Sequence, residues 1–208
     1  MDFNVPDDLN EIATLTPERA DVLIWCDDLI NADEGLSLCG LTTLDAATAD
    51  VLAAFQGPQL HLNGLATLDV ATAKALAGYA GHTLQLNGLA TIDAATATAL
   101  AGFDGHCLNL NGLVQLDAVA ALAFARFEGY LALNGLAAID AATANSFAEK
   151  TGDDVGVNGL TTLDATTARA LAKLRVCLDL GGLTSLSEEA LVAIRENPNI
   201  RLPGRFKD

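Results

Sequence analysis

Basic side chains are scarce in this chain of 208 residues. It contains 11 Lys and Arg against 27 Asp and Glu, which gives a formal net charge of −16. Proteins bind nucleic acids through Lys and Arg contacts to phosphates, and anionic membrane surfaces attract basic segments in the same way. The composition therefore predicts neither a nucleic acid nor a membrane as a partner. It favours solubility or a basic partner.

Long apolar runs and paired cysteines are also missing. No stretch of about 18 apolar residues is present, and the first residues resemble no secretory signal, so we expect a protein of the cytoplasm. The four cysteines are scattered with no CxxC pair: Cys26, Cys39, Cys107 and Cys177. We interpret them as reduced, buried thiols, and a disulfide framework is the alternative.

Aromatic residues make up only 5% of a chain that is 51% hydrophobic, so Leu and Ala must supply most of the buried surface. These residues are arranged in a repeat. Gly-Leu pairs recur in steps of 24, 24, 24, 23, 24 and 23 residues, at positions 40, 64, 88, 112, 135, 159 and 182. A fixed period of this length is typical of a solenoid, in which each unit buries its apolar face against the next.

One repeat shows how each coil is built. Leu84-Gln85-Leu86 alternates apolar and polar residues like a half-buried strand, and Asn87-Gly88 predicts a turn because both residues tolerate positive φ. Asp93 is a good N-cap for an Ala-rich helix over about residues 94 to 102. We therefore predict an α/β solenoid with a parallel sheet on one side and short helices on the other.

The ends of the chain depart from the repeat, as solenoid ends do. We divide the chain into an acidic cap with a degenerate half repeat (1–35), seven repeats (36–198) and a C-terminal half repeat with cap (199–208). The first part has ten acidic side chains and one basic side chain. In the N-terminal cap, Thr16 and Pro17 predict a helix start, and we expect Trp25 to cover the first coil.

The columns Leu-x-Leu-Asn-Gly-Leu-x-x-Leu-Asp-x-x-x-Ala-x-x-Leu resemble the leucine-rich repeat, in a bacterial variant with short, Ala-rich helices, over about residues 12 to 204. The Asn follows the second strand Leu directly instead of three residues later, so the sequence leaves open whether these residues form the family's asparagine ladder. The resemblance implies a right-handed coil with the sheet on its concave face. It also implies a scaffold that binds other proteins through that face.

The central strand position is the most varied column within this uniform repeat, and we predict that it forms the binding face. Its candidate binding residues are Ser37, His61, Gln85, Asn109, Asp179 and Arg201. Between them, Ala132 and Gly156 predict a bare patch that exposes the backbone. Asp179 and Arg201 lie in neighbouring repeats, where they could pair with each other. A solvated face without a partner is the alternative.

Other functions find less support in the sequence. It contains no Ser/His/Asp or Cys/His arrangement and no phosphate-binding Gly loop, so we predict a non-enzymatic protein without a cofactor. His82 and His106 share a column, but two ligands are too few for a closed zinc site. A broken Thr row gives weak support for ice binding. The main alternative is an acidic decoy or inhibitor that occupies a basic site on another protein.

Overall fold

The computed structural model describes residues 8–25 and 35–206, in which strands and helices alternate. The strands are β1 (Leu36–Ser37), β2 (Gln59–His61), β3 (Thr83–Gln85), β4 (Cys107–Asn109), β5 (Tyr130–Ala132), β6 (Val155–Gly156), β7 (Leu178–Asp179) and β8 (Ile200–Arg201). The helices are α1 (Pro17–Ile24), α2 (Ala46–Ala53), α3 (Val70–Leu76), α4 (Ala94–Leu100), α5 (Ala118–Phe124), α6 (Ala141–Phe147), α7 (Ala165–Leu171) and α8 (Glu188–Arg195). Single 3-10 turns at Leu9–Glu11 and Gly204–Phe206 flank them.

The described strands form one parallel eight-stranded sheet in the order of the sequence. The register advances by one repeat at each step, so that Leu60 pairs with Leu84 and Leu84 with Leu108. Each helix packs against the next helix, from α1–α2 to α7–α8. The predicted α/β solenoid is therefore confirmed.

The core lies between the sheet and the helices. The first and third strand positions, from Leu36 and Leu38 to Leu178 and Leu180, are at most 1% exposed. Each buried Leu contributes about 2 kcal/mol. An Ala in each helix faces them and is fully buried, as Ala97 is in α4. Because a methyl group takes little room, the helices approach the sheet closely and few aromatic rings are needed.

Helices α2 to α7 begin at the predicted Asp caps. Oδ1 of Asp93 accepts the N–H of Thr96 at 2.7 Å, and this hydrogen bond lowers the pKa of Asp93 because it stabilises the ionised carboxylate. The same bond measures 2.7 to 2.8 Å at the other caps: Asp45, Asp69, Asp117, Asp140 and Asp164. Ser187 caps α8 in the same place.

An aromatic column closes the C-terminal ends of four helices. The rings of Phe55, Tyr79, Phe103 and Phe127 are stacked with centroids 6.1 to 6.3 Å apart, and all are buried. The Tyr79 hydroxyl donates to the carbonyl of Gly57 at 2.7 Å. This arrangement confirms that the rings pack the solenoid.

Lys150 takes the next place in this column and is only 1% exposed. Its ammonium group donates to the carbonyl oxygens of Phe127, Gly129 and Thr151. The nitrogen also lies 5.7 Å from the centre of the Phe127 ring. Lys150 therefore ends the aromatic column by satisfying main-chain acceptors of the preceding coil.

The Asn-Gly turns have a different physical basis from the predicted one. In the described chain the residues with positive φ are Gly35 and Gly152, and neither belongs to an Asn-Gly turn. A Cβ on Gly112 would instead overlap the carbonyl oxygen of Asn87 and lie 2.8 Å from that of Leu89. The recurrent glycine is required because successive coils touch at the turn.

The N-terminal segment is a further copy of the turn and helix. Leu9-Asn10-Glu11-Ile12 precedes α1 just as Leu62-Asn63-Gly64-Leu65 precedes α3. Asn10 Oδ1 accepts hydrogen bonds from the Cys39 N–H and the Ser37 hydroxyl, each at 2.9 Å, and so continues the stack beyond β1.

Trp25 is 69% exposed, so the expectation that it covers the first coil is wrong. Residues 1–7 and 26–34 of the predicted acidic cap, with Cys26, lie outside the described residues.

In the described ranges, no helix has the length and apolar character needed to cross a membrane.

Candidate functional site on the sheet face

The side of the sheet that faces away from the helices, here called the sheet face, carries three parallel rows of side chains. The first row is Gln59, Thr83, Cys107, Tyr130, Asp154, Cys177 and Asn199. The central row is Ser37, His61, Gln85, Asn109, Ala132, Gly156, Asp179 and Arg201. The asparagine row is Asn63, Asn87, Asn111, Asn134 and Asn158, with Cys39 before it and Gly181 after it.

The structure places the predicted site residues side by side in the central row. Ser37 lies opposite His61, and Gln85 lies opposite Asn109. All four are half-buried, whereas the leucines immediately before and after each of them in the chain are fully buried. The residues therefore share one ordered surface, as predicted, and whether that surface binds a protein stays a prediction.

Hydrogen bonds link the N-terminal half of the sheet face. Nε2 of His61 lies 3.2 Å from Oε1 of Gln59 and 3.0 Å from Nε2 of Gln85. The imidazole can donate to the first or accept from the second, so its tautomer selects the partner. Oε1 of Gln85 in turn accepts from Nδ2 of Asn63 at 3.3 Å. This network holds hydrogen-bond donors and acceptors in fixed positions.

The asparagine row is a ladder of hydrogen bonds that runs along the turns. The N–H of each member donates to Oδ1 of the asparagine one coil earlier, at 2.9 Å for Asn87 to Asn63, Asn111 to Asn87 and Asn134 to Asn111. Asn158 and Gly181 continue it at 3.0 and 2.7 Å. Each side chain thus satisfies a main-chain donor that the short strands leave unpaired.

We expect Asn111→Ala to lower the free energy of unfolding by about 1 to 2 kcal/mol, because the Asn134 N–H loses its acceptor. Urea unfolding followed by circular dichroism measures the change. Asn145→Ala is the matched control, since Asn145 lies exposed on α6. Equal effects of the two substitutions would show that the ladder adds no stability.

Tyr130 corrects the expectation of a bare patch. Ala132 is only 2% exposed, and a Cβ on Gly156 would lie 2.5 Å from the Tyr130 hydroxyl oxygen. The ring therefore lies across the sheet, from β5 to the space above Gly156 in β6. The small residues at these two positions accommodate the ring and leave no exposed backbone.

The charged end of the central row is also paired differently from the expectation. Among the described residues, Arg201 forms an ion pair with Asp154, at 3.3 Å, and not with Asp179. Asp179 accepts hydrogen bonds from the Gly181 N–H at 3.0 Å and from Nδ2 of Asn158 at 3.4 Å. The first row is thus part of the site, because it supplies both Tyr130 and the carboxylate that binds Arg201.

Sequence reasoning missed this first row. Its residues lie two positions before the central row, and side chains two apart in a strand share a face. The row also corrects the expectation of buried thiols, because Cys107 and Cys177 belong to it and are half-buried on the sheet face. Both are free thiols, and burial raises the pKa of Cys107, which favours its neutral form.

His82 and His106 lie beside the first row, with ring centroids 4.7 Å apart. Nδ1 of His106 is 3.4 Å from Oδ2 of Asp153, and the side chains of His106 and Asp153 are each at least half exposed. Within residues 8–25 and 35–206, no group of three or more His, Cys, Asp or Glu is placed to hold a metal ion.

The helix side offers other concave surfaces. A hollow of about 420 Å³ between α7 and α8 is lined by Arg169, Glu189 and Val192. A second hollow, of about 410 Å³, is lined by Lys150, Lys173 and Arg175. A controlled experiment must therefore compare the sheet face with the helix side.

No protein-family model matches this chain, and no curated protein matches it.

Proposed function

We propose that this protein is a non-enzymatic scaffold that binds another protein through the sheet face. One observation carries the proposal: the chemistry of the central row changes from coil to coil, whereas the leucines on both sides of it are almost invariant and fully buried. The framework needs no such variation for its stability. A selected partner would account for it.

The order of the sheet face supports the same proposal. Gln85 is already hydrogen-bonded to both His61 and Asn63 before any partner arrives. Binding to a surface with fixed side chains costs less conformational entropy than binding to a mobile one. A long row of prepositioned donors and acceptors suits an extended or flat protein surface.

We also propose that the coil is a variant leucine-rich repeat. The asparagine ladder supports this relationship, because it satisfies main-chain donors along the stack although its Asn stands earlier in the repeat. The variant would place the sheet on a concave face of a right-handed coil.

The test is affinity capture from a lysate of the source organism with two matched variants. His61→Glu, Gln85→Lys and Asn109→Glu together change the sheet face, with alternating charges so that neighbours attract each other. Ala71→Glu, Ala95→Lys and Ala142→Glu add the same charges to exposed positions of α3, α4 and α6. We expect the wild type to capture a specific partner. The sheet-face variant should capture at least tenfold less of it, and the helix variant should capture as much as the wild type.

The opposite result would contradict the proposal. A partner lost by the helix variant and retained by the sheet-face variant would place the binding site on the helices. Circular dichroism spectra and melting temperatures of both variants must match those of the wild type, so that a lost partner reflects the surface and not unfolding.

The acidic decoy is the second candidate, because the net charge of −16 favours a basic partner. Salt separates the two mechanisms. Binding that depends mainly on net charge weakens steeply as ionic strength rises, whereas binding through the hydrogen bonds of the His61–Gln85–Asn63 network weakens far less.

A further inference from the structure

Tyr130 is the aromatic residue of the three rows, and its ring lies down on the sheet. The ring crosses from β5 to β6 and ends above Gly156, whose missing side chain provides the space. Oδ1 of Asn134 borders the same space, 3.1 Å from where a Cβ on Gly156 would lie. A half-buried ring in this position presents a flat aromatic surface within an otherwise polar face.

Carboxylates border this ring on the side of the later strands. Asp179 lies opposite Gly156 in the sheet register, and Asp154 precedes β6 in the first row. Burial raises the pKa of Tyr130, and the charges of Asp179 and Asp154 raise it further, as expected for neighbouring groups. The ring and the carboxylates therefore form one patch.

The patch already binds one guanidinium group. Arg201 pairs with Asp154 at 3.3 Å, which offsets part of the charge of that carboxylate. Asp179 makes hydrogen bonds to Gly181 and Asn158 but has no ion pair among the described residues. A carboxylate oxygen accepts more than one hydrogen bond, so Asp179 retains acceptor capacity beside the ring.

We propose that Tyr130 and Asp179 bind a basic side chain, preferably arginine, of a partner protein that docks on the sheet face. A guanidinium group stacks on an aromatic ring through a cation–π contact and simultaneously donates to a carboxylate. The net negative charge of the chain attracts such a segment. This inference rests on the proposed function, because it names the chemistry of the partner at that face.

The experiment is a titration of the isotope-labelled protein with the peptide acetyl-Gly-Arg-Gly-amide, followed by amide chemical shifts. We expect weak, saturable shifts centred on β5 to β7, and no such shifts with acetyl-Gly-Glu-Gly-amide. Asp179→Asn should weaken binding about tenfold. Asp50→Asn is the matched control on α2, because it removes the same charge on the other side of the molecule and should leave the affinity unchanged.

Two further variants separate stacking from simple charge attraction. Tyr130→Phe keeps the ring and should retain binding, whereas Tyr130→Thr, with the residue found at this position in β3, should weaken it about fivefold. Gly156→Asn should also weaken binding without a change in charge, because its side chain displaces the ring. The dispersion of the amide spectrum verifies folding in each case.

Equal affinities for all folded variants, or shifts spread over the acidic surface, would overturn this inference. The titration does not depend on the lysate experiment. Peptide binding without a captured partner would leave the arginine site intact and refute only the proposed scaffold function. A captured sheet-face partner that binds Asp179→Asn and Tyr130→Thr normally would refute only the arginine site.

Discussion

Replacing Gly112 by Ala should lower the free energy of unfolding by about 3 kcal/mol, the upper end of the usual range for overpacking. The added Cβ would overlap the carbonyl oxygen of Asn87 and lie 2.8 Å from that of Leu89. Both atoms belong to the main chain of the preceding coil, so no flexible side chain can move away. For a chain of this size the melting temperature should fall by roughly 10 °C.

Gly204→Ala is the matched control for this experiment. A Cβ at Gly204 meets no atom within 4 Å, so the substitution should change stability by less than about 0.5 kcal/mol. Urea unfolding of the three proteins under one condition decides the matter. If Gly112→Ala were as stable as Gly204→Ala, the coils would not be in contact at the Asn-Gly turn.

Lys150→Met should remove a pH dependence of stability that the wild type shows above pH 8. Burial lowers the pKa of Lys150 to about 8, although the charges of Asp153, Glu128 and Asp154 act in the opposite direction. In the unfolded chain the same group keeps its proton until about pH 10. Between these values the unfolded state holds more protons, so the wild type gains stability relative to the variant as the pH rises.

The expected gain between pH 8 and pH 10 is on the order of 2 kcal/mol. Other groups that titrate in this range are shared by both proteins and cancel in the difference between them. Lys74→Met, on the exposed side of α3, is the matched control and should change stability by less than about 0.5 kcal/mol. The free energy of unfolding of the wild type minus that of Lys150→Met should therefore increase from pH 8 to pH 10. A difference that stays constant or decreases would contradict the lowered pKa of Lys150.

Much of the fold follows from the period and the strand columns. Leu84 and Leu86 predict a buried strand, and Asp93 predicts the start of α4, because local patterns depend on neighbours a few residues away. The structure confirms both, since Leu84 and Leu86 are fully buried and Asp93 caps α4. The predicted end of α4, at about residue 102, was less accurate, since the helix ends at Leu100.

The candidate site was predicted only in part. The central row follows from the alternation of the strands, but the partners of its members do not. Whether Arg201 pairs with Asp154 or Asp179 depends on side-chain reach across the sheet, and Tyr130 fills the space above Gly156 in a different coil. Such contacts join residues about 20 to 50 positions apart, and no local pattern records them.

The sequence by itself determined the repeat, the alternation of strand and helix, the buried leucine columns and the helix caps. It could do so because hydrophobic periodicity and capping act within one repeat. Only the tertiary structure decided why each turn contains glycine, which acceptors Lys150 binds and which side chains of the sheet face pair with one another. These features arise where one coil touches the next, and contact between coils exists only after the solenoid has stacked.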